Sequence, residues 1–141
     1  IRELGGRPED IWIREFRHIG DSTTLAALEL SRMPERPTAL FSTNSLMTQK
    51  LISDLHRLGI DTPEDISIIS FEENGELEFL NTPVTVIAQP TRQMGKAAVN
   101  ALVRLLHGYP VEARHRLDYA LVIRESTRSC KPHNLNTEEK K

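Results

Sequence analysis

The residues best suited to chemistry in this sequence are polar side chains that directly follow two short apolar segments. Segment 66–70 (ISIIS) leads through a phenylalanine into Glu72 and Glu73, and segment 38–43 (TALFST) leads into Asn44. In an open parallel sheet, ligands bind beyond the carboxyl ends of the strands. If the two segments are neighbouring strands, Asn44 and Glu72 lie side by side, where a carboxylate and an amide together can bind hydroxyl groups. The pattern therefore indicates a site for a polyol.

Simpler roles are open for the same residues. Asn44 is well placed to cap the start of a helix, and Glu72 could be a solvated loop residue. Glu72 and Glu73 also suggest a general acid–base pair. Neighbouring residues at a strand end point in different directions, however, and this disfavours a shared catalytic site.

Motifs for catalysis or metal binding are missing from the sequence. There is no G-x-S-x-G nucleophile motif and no G-x-x-x-x-G-K-[ST] or G-x-G-x-x-G phosphate-binding loop. The 5 histidines lack the spacing of metal ligands, and Cys130 stands alone. We therefore expect no enzyme activity, no metal and no cofactor.

The order of the predicted elements indicates an α/β fold. Five β-branched or apolar runs are predicted as strands: residues 11–16, 38–43, 66–70, 84–88 and 119–123. Helical spacing of apolar residues predicts three helices: one that follows Ser22 and ends before Pro34, one that follows Asn44 and ends at Gly59, and one over 91–107. Alternating strands and helices are typical of βαβ units in a parallel sheet. The apolar run ISIIS predicts a strand covered by helices on both faces.

Composition narrows the class of protein. The 141 residues suffice for one domain, and 27% of them are charged, with a net charge of -2. This balance argues against nucleic-acid binding by this stretch itself, which usually needs a basic surplus. No apolar run reaches the roughly 18 residues needed to span a membrane. No signal-peptide pattern is visible near the start, and the single cysteine fits a reducing compartment, so we expect a cytoplasmic location.

Four stretches of the sequence occur in a recognisable order: RPTALFSTNS, LGIDTPEDISIISFEEN, TPVTVIAQPTRQMGKAA and LVIREST. Together they resemble the effector-binding region of lactose-repressor/galactose-repressor (LacI/GalR) family transcription regulators, over nearly all of residues 11–128. The resemblance implies a three-layer parallel α/β sheet of the type I periplasmic-binding-protein-like fold. It also implies that this chain holds mostly the C-terminal lobe, plus elements that cross back to an N-terminal lobe absent from it.

The resemblance assigns site residues one at a time. Asn44 matches the family's effector-pocket Asn, whose usual Asp neighbour is Ser45 here. Glu72 matches the effector-binding Asp, with one added methylene. His18 falls where family members often place an aromatic ring against the ligand, although a solvated loop histidine fits it equally well. A further effector-clamping Arg of the family is expected upstream of Ile1.

Domain boundaries also follow from the resemblance. Residues 1–128 are expected to be a partial effector-binding domain, with 11–89 in the C-terminal lobe, 90–119 crossing into the N-terminal lobe and 120–128 returning. Residues 129–141 are expected to be a disordered tail. The helix at 91–107 and the strand after it should then pack on a sheet outside this chain. In this chain alone the helix's apolar face would be exposed, and we expect association, swapping or disorder there.

A homodimer is implied as well. Family dimers form partly through the helix after the effector Asn and through the segment after the effector carboxylate, here 46–57 and 77–83. The candidate interface residues are Leu46, Met47, Lys50, Leu51, Asp54, Leu77, Phe79 and Leu80. The apolar residues of the second segment could instead fold back on their own core.

The combined interpretation is an effector-sensing part of a bacterial transcriptional repressor. A sugar or related metabolite would bind between two lobes, and DNA would be bound only by a helix-turn-helix domain absent from this chain. One alternative is a solute-binding protein of a sugar transporter, which would share the fold and the pocket. A sugar-processing enzyme is disfavoured, since no nucleophile or acid–base pair is evident.

Overall fold

The computed structural model describes residues 11–15 and 19–129. In chain order the elements are α1 (Ile19–Arg32), β1 (Ala39–Ser42), α2 (Ser45–Arg57), β2 (Ser67–Ser70), a 3-10 helix (Glu76–Glu78), β3 (Thr85–Ala88), α3 (Thr91–Leu106) and β4 (Ala120–Val122). The ends of α2 follow the predicted signals. Asn44 caps its start, and Gly59 follows its end with φ of 72°, a conformation that glycine adopts without strain.

The four strands found among the described residues form one sheet in the order β1-β2-β3-β4. The first three are parallel, with Ser42 opposite Ser70 and Ser70 opposite Val86. The last strand, β4, runs antiparallel to β3, which corrects the wholly parallel sheet expected from the sequence. Ala120 lies opposite Ala88, the last residue of β3. The chain therefore re-enters the sheet at the end from which it left, so β4 must run backwards.

The core lies mainly between the sheet and the first two helices. One buried cluster joins α1, α2 and β2 and consists of Ala27, Leu30, Leu55, Ile60, Ile66 and Ile68. A second, smaller cluster joins the 3-10 helix to β3 and consists of Leu77, Val84 and Val86. The first cluster, with Leu40 packed against it, fixes β1 and β2 against α1 and α2, and the second fixes β3 against the 3-10 helix.

Only one face of the sheet is covered in the described part of the chain. Leu40 packs against the cluster under α1 and α2, whereas Phe41 and Leu121 point to the opposite face and are more than half exposed. Helix α3 does not pack on that face, since it has no buried residue. The expected third layer is therefore not formed by residues 11–15 and 19–129.

The strand predicted over 11–16 does not form in its described part. Residues 11–15 have no regular secondary structure. Trp12 packs against the main core cluster while Ile13 is exposed. One apolar side chain of the segment is thus buried although no strand forms. Arg14 is held outside the core by an ion pair with Glu29 at 2.7 Å and lies 4.6 Å from the centre of the Trp12 ring. None of the described strands lies beside this segment, so they form no ladder of hydrogen bonds with it.

The first helix starts earlier than predicted, at Ile19 rather than after Ser22. Polar residues that would cap a helix are also tolerated inside its first turn, because the first four N–H groups have no partner within the helix. The predicted end before Pro34 is confirmed, since α1 ends at Arg32.

Helix α3 covers the predicted range and stands apart from the core. Met94, Leu102 and Leu105 are about half exposed, so the expected exposure of its apolar face is confirmed. No strand forms between α3 and β4, and β4 pairs with β3 of this chain. The strand expected to follow α3 on a sheet outside this chain stays a prediction, whereas Ala120–Val122 lies on β3.

Ser126, in the segment after β4, is fully buried and links strands β2 and β3. Its hydroxyl donates to the carbonyl of Ile68 at 2.6 Å and accepts from the N–H of Thr85 at 2.8 Å. Its backbone N–H donates to the carbonyl of Pro83, and its own carbonyl accepts from the N–H of Ile68. Ser126 thus bridges β2 and β3 at the end opposite to the candidate site.

Replacing Ser126 by alanine is expected to lower the free energy of unfolding by about 2 kcal/mol, because the buried N–H of Thr85 loses its acceptor. Chemical denaturation measures this change. Ser129→Ala serves as the control, since Ser129 is exposed and its loss should change stability by less than about 0.5 kcal/mol. Equal stability of the two variants would contradict the bridging role.

Candidate functional site

The two predicted polar strand ends lie next to each other. Strands β1 and β2 are parallel neighbours whose last residues, Ser42 and Ser70, are opposite in register. Asn44 and Glu72 each follow two residues later, at the same edge of the sheet. The expectation that these side chains share one rim is therefore met by the register of the sheet.

Asn44 does cap the start of α2. Its Oδ1 accepts a hydrogen bond from the N–H of Met47 at 3.1 Å, and its backbone is extended, with φ of -142° and ψ of 135°. The Asn44 carbonyl accepts from the hydroxyl of Thr48 at 2.8 Å. The amide Nδ2 makes no hydrogen bond to the described residues. Capping therefore occupies the oxygen of this side chain and leaves two N–H donors on the rim.

Glu72 reaches back from the end of β2 to the first residue of α2. Its Oε2 accepts from the backbone N–H of Ser45 at 2.9 Å and from the Ser45 hydroxyl at 2.9 Å. These two bonds, the backbone one foremost, hold the pKa of Glu72 below its ordinary value, against the opposing effect of burial. Glu72 is thus an ionised carboxylate anchored at a helix N-terminus, where negative charge is stabilised. Its Oε1 accepts no hydrogen bond from the described residues.

Glu73 points away from Glu72. Its Oε2 lies 2.6 Å from Nη2 of Arg124, a close ion pair between side chains that are 23% and 14% exposed. Arg124 also donates from Nη1 to the carbonyl of Val84 at 2.9 Å. Adjacent carboxylates therefore serve different elements, one the start of α2 and the other the segment after β4. This arrangement gives no support to an acid–base pair.

Three further residues at the rim were not singled out from the sequence. Phe41 and Phe71 are partly exposed, and their ring centres lie 6.0 Å apart at 54°. Gln89, which follows β3, donates from Nε2 to the carbonyl of Phe71 at 3.1 Å. The position of Gln89 just after a strand was an available signal, since it matches the positions of Asn44 and Glu72. The contact of the two rings depends on strand pairing, which the sequence does not state.

Two other predicted features lie outside the described residues. His18, the third candidate ligand contact, is one of them, and Cys130 is the other. Among residues 11–15 and 19–129, no group of three or more His, Cys, Asp or Glu side chains is arranged to hold a metal ion. None of the described helices is both long and apolar enough to cross a membrane.

The candidate interface residues of α2 differ in exposure. Leu46 is exposed, and Met47, Lys50 and Leu51 are half-buried. Asp54 is buried on the side of α1 and is therefore a contact within the chain.

Asp54 joins α2 to α1. Its Oδ2 accepts from the hydroxyls of Thr23 at 3.1 Å and Thr24 at 2.9 Å, and it pairs with Lys50 Nζ at 3.1 Å. Burial alone would raise the pKa of Asp54, but hydrogen bonds from Lys50, Thr24 and Thr23 outweigh it and hold the pKa below its ordinary value. This carboxylate fixes the direction in which α2 leaves the rim.

The second candidate interface segment is split between core and surface. Leu77 is fully buried in the smaller core cluster, and Leu80 packs partly against it. Leu77 therefore drops out of the interface set, because its side chain cannot reach the surface. Phe79 is 84% exposed and is the most prominent apolar side chain of the segment.

Comparisons with known proteins identify the family. The periplasmic binding protein-like domain matches residues 1–127. The HTH-type transcriptional repressor CytR of Escherichia coli (strain K12) is 37% identical over 130 residues, which cover 92% of this chain and 38% of that relative. The chain thus spans about two fifths of the length of the curated relatives it matches.

Solved structures agree with the sequence match. A LacI family transcriptional regulator from Bifidobacterium animalis subsp. lactis superposes with a TM-score of 0.71 at 29% identity, over 76% of this chain and 40% of that one. A LacI family transcriptional regulator from Lactobacillus casei, solved with bound glucose, gives a TM-score of 0.66 at 25% identity, over 78% of this chain and 40% of that one.

The chain belongs to the periplasmic binding protein-like domain family. Within that family it is an effector-binding domain of the LacI/GalR regulator type, which confirms the resemblance and the periplasmic-binding-protein-like α/β fold predicted from the sequence.

Proposed function

We propose that this chain is the effector-sensing part of a bacterial transcriptional repressor whose helix-turn-helix DNA-binding domain lies outside these residues. The observation that carries the proposal is the rim formed by Asn44 and Glu72, in a chain whose curated relatives are repressors. The relatives favour this function over a solute-binding protein of a sugar transporter. We place the protein in the cytoplasm, and we assign it no catalytic role.

The effector is a sugar or a related small metabolite. Its contacts on this lobe are Asn44 and Glu72, with His18 as a third. The ionised Oε1 of Glu72 accepts from a ligand hydroxyl, and Nδ2 of Asn44 donates to a ligand oxygen. The glucose bound by the Lactobacillus casei relative supports a polyol as the chemical class.

The lobes are divided as the sequence suggests. Residues 11–89 belong to one lobe, 90–119 cross into the other, and 120–128 return. Two observations support this division: α3 has no buried residue, and Ala120–Val122 pairs back onto β3. The segment beyond 128 is proposed as a tail.

The regulator acts as a homodimer. The proposed contacts are Leu46, Met47, Lys50 and Leu51 of α2, together with Phe79 and Leu80. Because α2 starts at the rim and carries part of this surface, effector binding between the lobes can change the dimer geometry. The effector then shifts the attached DNA-binding domains between two states in proportion to its different affinities for those states.

Removing either polar contact is expected to weaken the response to effector at least about tenfold, the loss of roughly one charged hydrogen bond. Glu72→Gln removes the charge but keeps an oxygen for Ser45. Asn44→Asp keeps the helix cap, because Asp caps as well as Asn, but removes the amide donor. The measurement is the effector concentration that gives half-maximal response of a reporter gene, in cells that carry the complete regulator.

The matched control is Glu125→Gln, the same chemical change at an exposed position. Its half-maximal concentration should equal that of the wild type. If Glu72→Gln and Asn44→Asp also leave the response unchanged, the assignment of the rim as the effector site is wrong.

A further inference from the structure

The two oxygens of the Glu72 carboxylate make unequal contacts. Both contacts from Ser45 go to Oε2, and both are 2.9 Å long. Ser45 itself is buried, so water does not compete freely for these bonds. The other oxygen, Oε1, accepts nothing from the described residues. Oε2 is therefore committed to contacts within the fold, and Oε1 is left without a hydrogen bond from the described residues.

The surroundings of Ser45 hold this arrangement in place. The Thr48 hydroxyl lies 2.8 Å from the Asn44 carbonyl and 3.2 Å from the Ser70 hydroxyl, and its single proton bonds to one of them at a time. Ser70 in turn donates to the carbonyl of Glu72 at 3.0 Å. The start of α2 and the end of β2 are thus linked by a buried chain of hydroxyl groups. Rotation of the Glu72 side chain would break the two Ser45 bonds without breaking this chain.

We propose that Ser45 is a positioning residue for the effector site: it ties Oε2 of Glu72 to the first turn of α2 and so presents Oε1 to the ligand, beside the Asn44 amide. The role of the ligand in this inference rests on the proposed function, whereas the positioning itself does not. An acceptor next to an amide donor selects a neutral ligand that offers a hydroxyl donor and an oxygen acceptor on neighbouring atoms. The negative charge at the same point disfavours an anionic group.

No other charged side chain accounts for the state of Glu72. The two Ser45 bonds lower its pKa against the opposing effect of burial, and no charged side chain contributes. Its neighbour Glu73 is paired with Arg124. The Ser70 hydroxyl, which carries no charge, contacts the backbone of Glu72 at 3.0 Å. The two Ser45 hydrogen bonds are therefore the contacts whose loss should raise the pKa of Glu72.

Three substitutions at Ser45 separate the contribution of its backbone N–H from that of its hydroxyl. Ser45→Thr keeps both the N–H and a hydroxyl. Ser45→Ala removes only the hydroxyl. Ser45→Pro removes both donors at the first position of a helix, where proline is well tolerated. The residue before it is already extended, which is the backbone conformation that a following proline requires.

The pKa of Glu72 is measured in the complete protein by NMR of side-chain-labelled glutamate, with Glu72→Gln used to assign the signal. We expect the pKa to stay low in the threonine variant, to rise in the alanine variant and to rise furthest in the proline variant. Amide exchange of Leu51 and Leu55 confirms that α2 remains folded. An unchanged pKa in both the alanine and proline variants, or a rise in the threonine variant equal to that in proline, overturns the proposal.

This measurement uses no effector, so its outcome does not depend on whether the proposed function is correct. If the pKa series behaves as expected while Glu72→Gln responds normally to effector, Ser45 positions the carboxylate but the rim is not the effector site. If Glu72→Gln loses the response while the pKa of Glu72 is unchanged in the Ser45 variants, the effector site is supported and the positioning role of Ser45 is wrong.

Discussion

Replacement of Arg124 by alanine is expected to lower the free energy of unfolding of the lobe by about 3 kcal/mol. Arg124 is 14% exposed and lies 2.6 Å from Glu73, itself 23% exposed, so truncation leaves a largely buried carboxylate without its partner. It also removes the donor to the Val84 carbonyl. Hydrogen exchange at the amides of β2 and β3 reports this change directly, because those amides open only when the lobe unfolds.

Two companion variants test the cause of that loss. Arg114→Ala, at an exposed position, should change stability by less than about 0.5 kcal/mol. Adding Glu73→Gln to Arg124→Ala should recover part of the loss, since the unpaired charge is then gone. If the double variant is as unstable as the sum of the two single variants, the ion pair is not what Arg124 contributes.

The second large effect concerns the exposed face of α3. Expressed alone, this 141-residue chain is expected to self-associate through that face, where Leu102 and Leu105 are each 56% exposed. Burying a leucine contributes roughly 1.5–3 kcal/mol, so replacing both by glutamate should weaken association at least about a hundredfold. Light scattering over a range of concentrations measures the shift.

Asn100→Glu is the matched control, because Asn100 lies on the opposite side of the same helix and is exposed. It adds a charge without touching the apolar face, and association should persist. A wild-type chain that is monomeric, with the amides of α3 protected from exchange, would show that this face needs no partner.

Local patterns were sufficient to predict most of the fold. The runs that became β1, β2, β3 and β4 are short, apolar and bounded by turn residues, and the helices α2 and α3 carry apolar residues at helical spacing. Where the pattern was wrong, at 11–15, the residue types suit a strand, but none of the strands in the described part of the chain pairs with it. The direction of β4 depends on where a long connection returns, which residue spacing does not encode.

The candidate site was predicted in outline and missed in detail. The rim position of Asn44 and Glu72 follows from one assumption, that two strands are parallel neighbours. The Ser45–Glu72 contact joins residues 27 positions apart and depends on the length of one side chain, so no local pattern reports it. Leu77 was assigned to an interface because its segment looked like a loop, but tertiary packing buries it.

The most direct test of the proposed repressor function is to read the coding sequence on the N-terminal side of Ile1. Roughly 200 codons are needed, about the length of a second lobe and a small DNA-binding domain. We expect a helix-turn-helix near the start of that region, followed by the strands and helices of the second lobe. A secretory signal peptide in place of the helix-turn-helix would contradict it. The same rim would then deliver a solute to a transporter and would not control transcription.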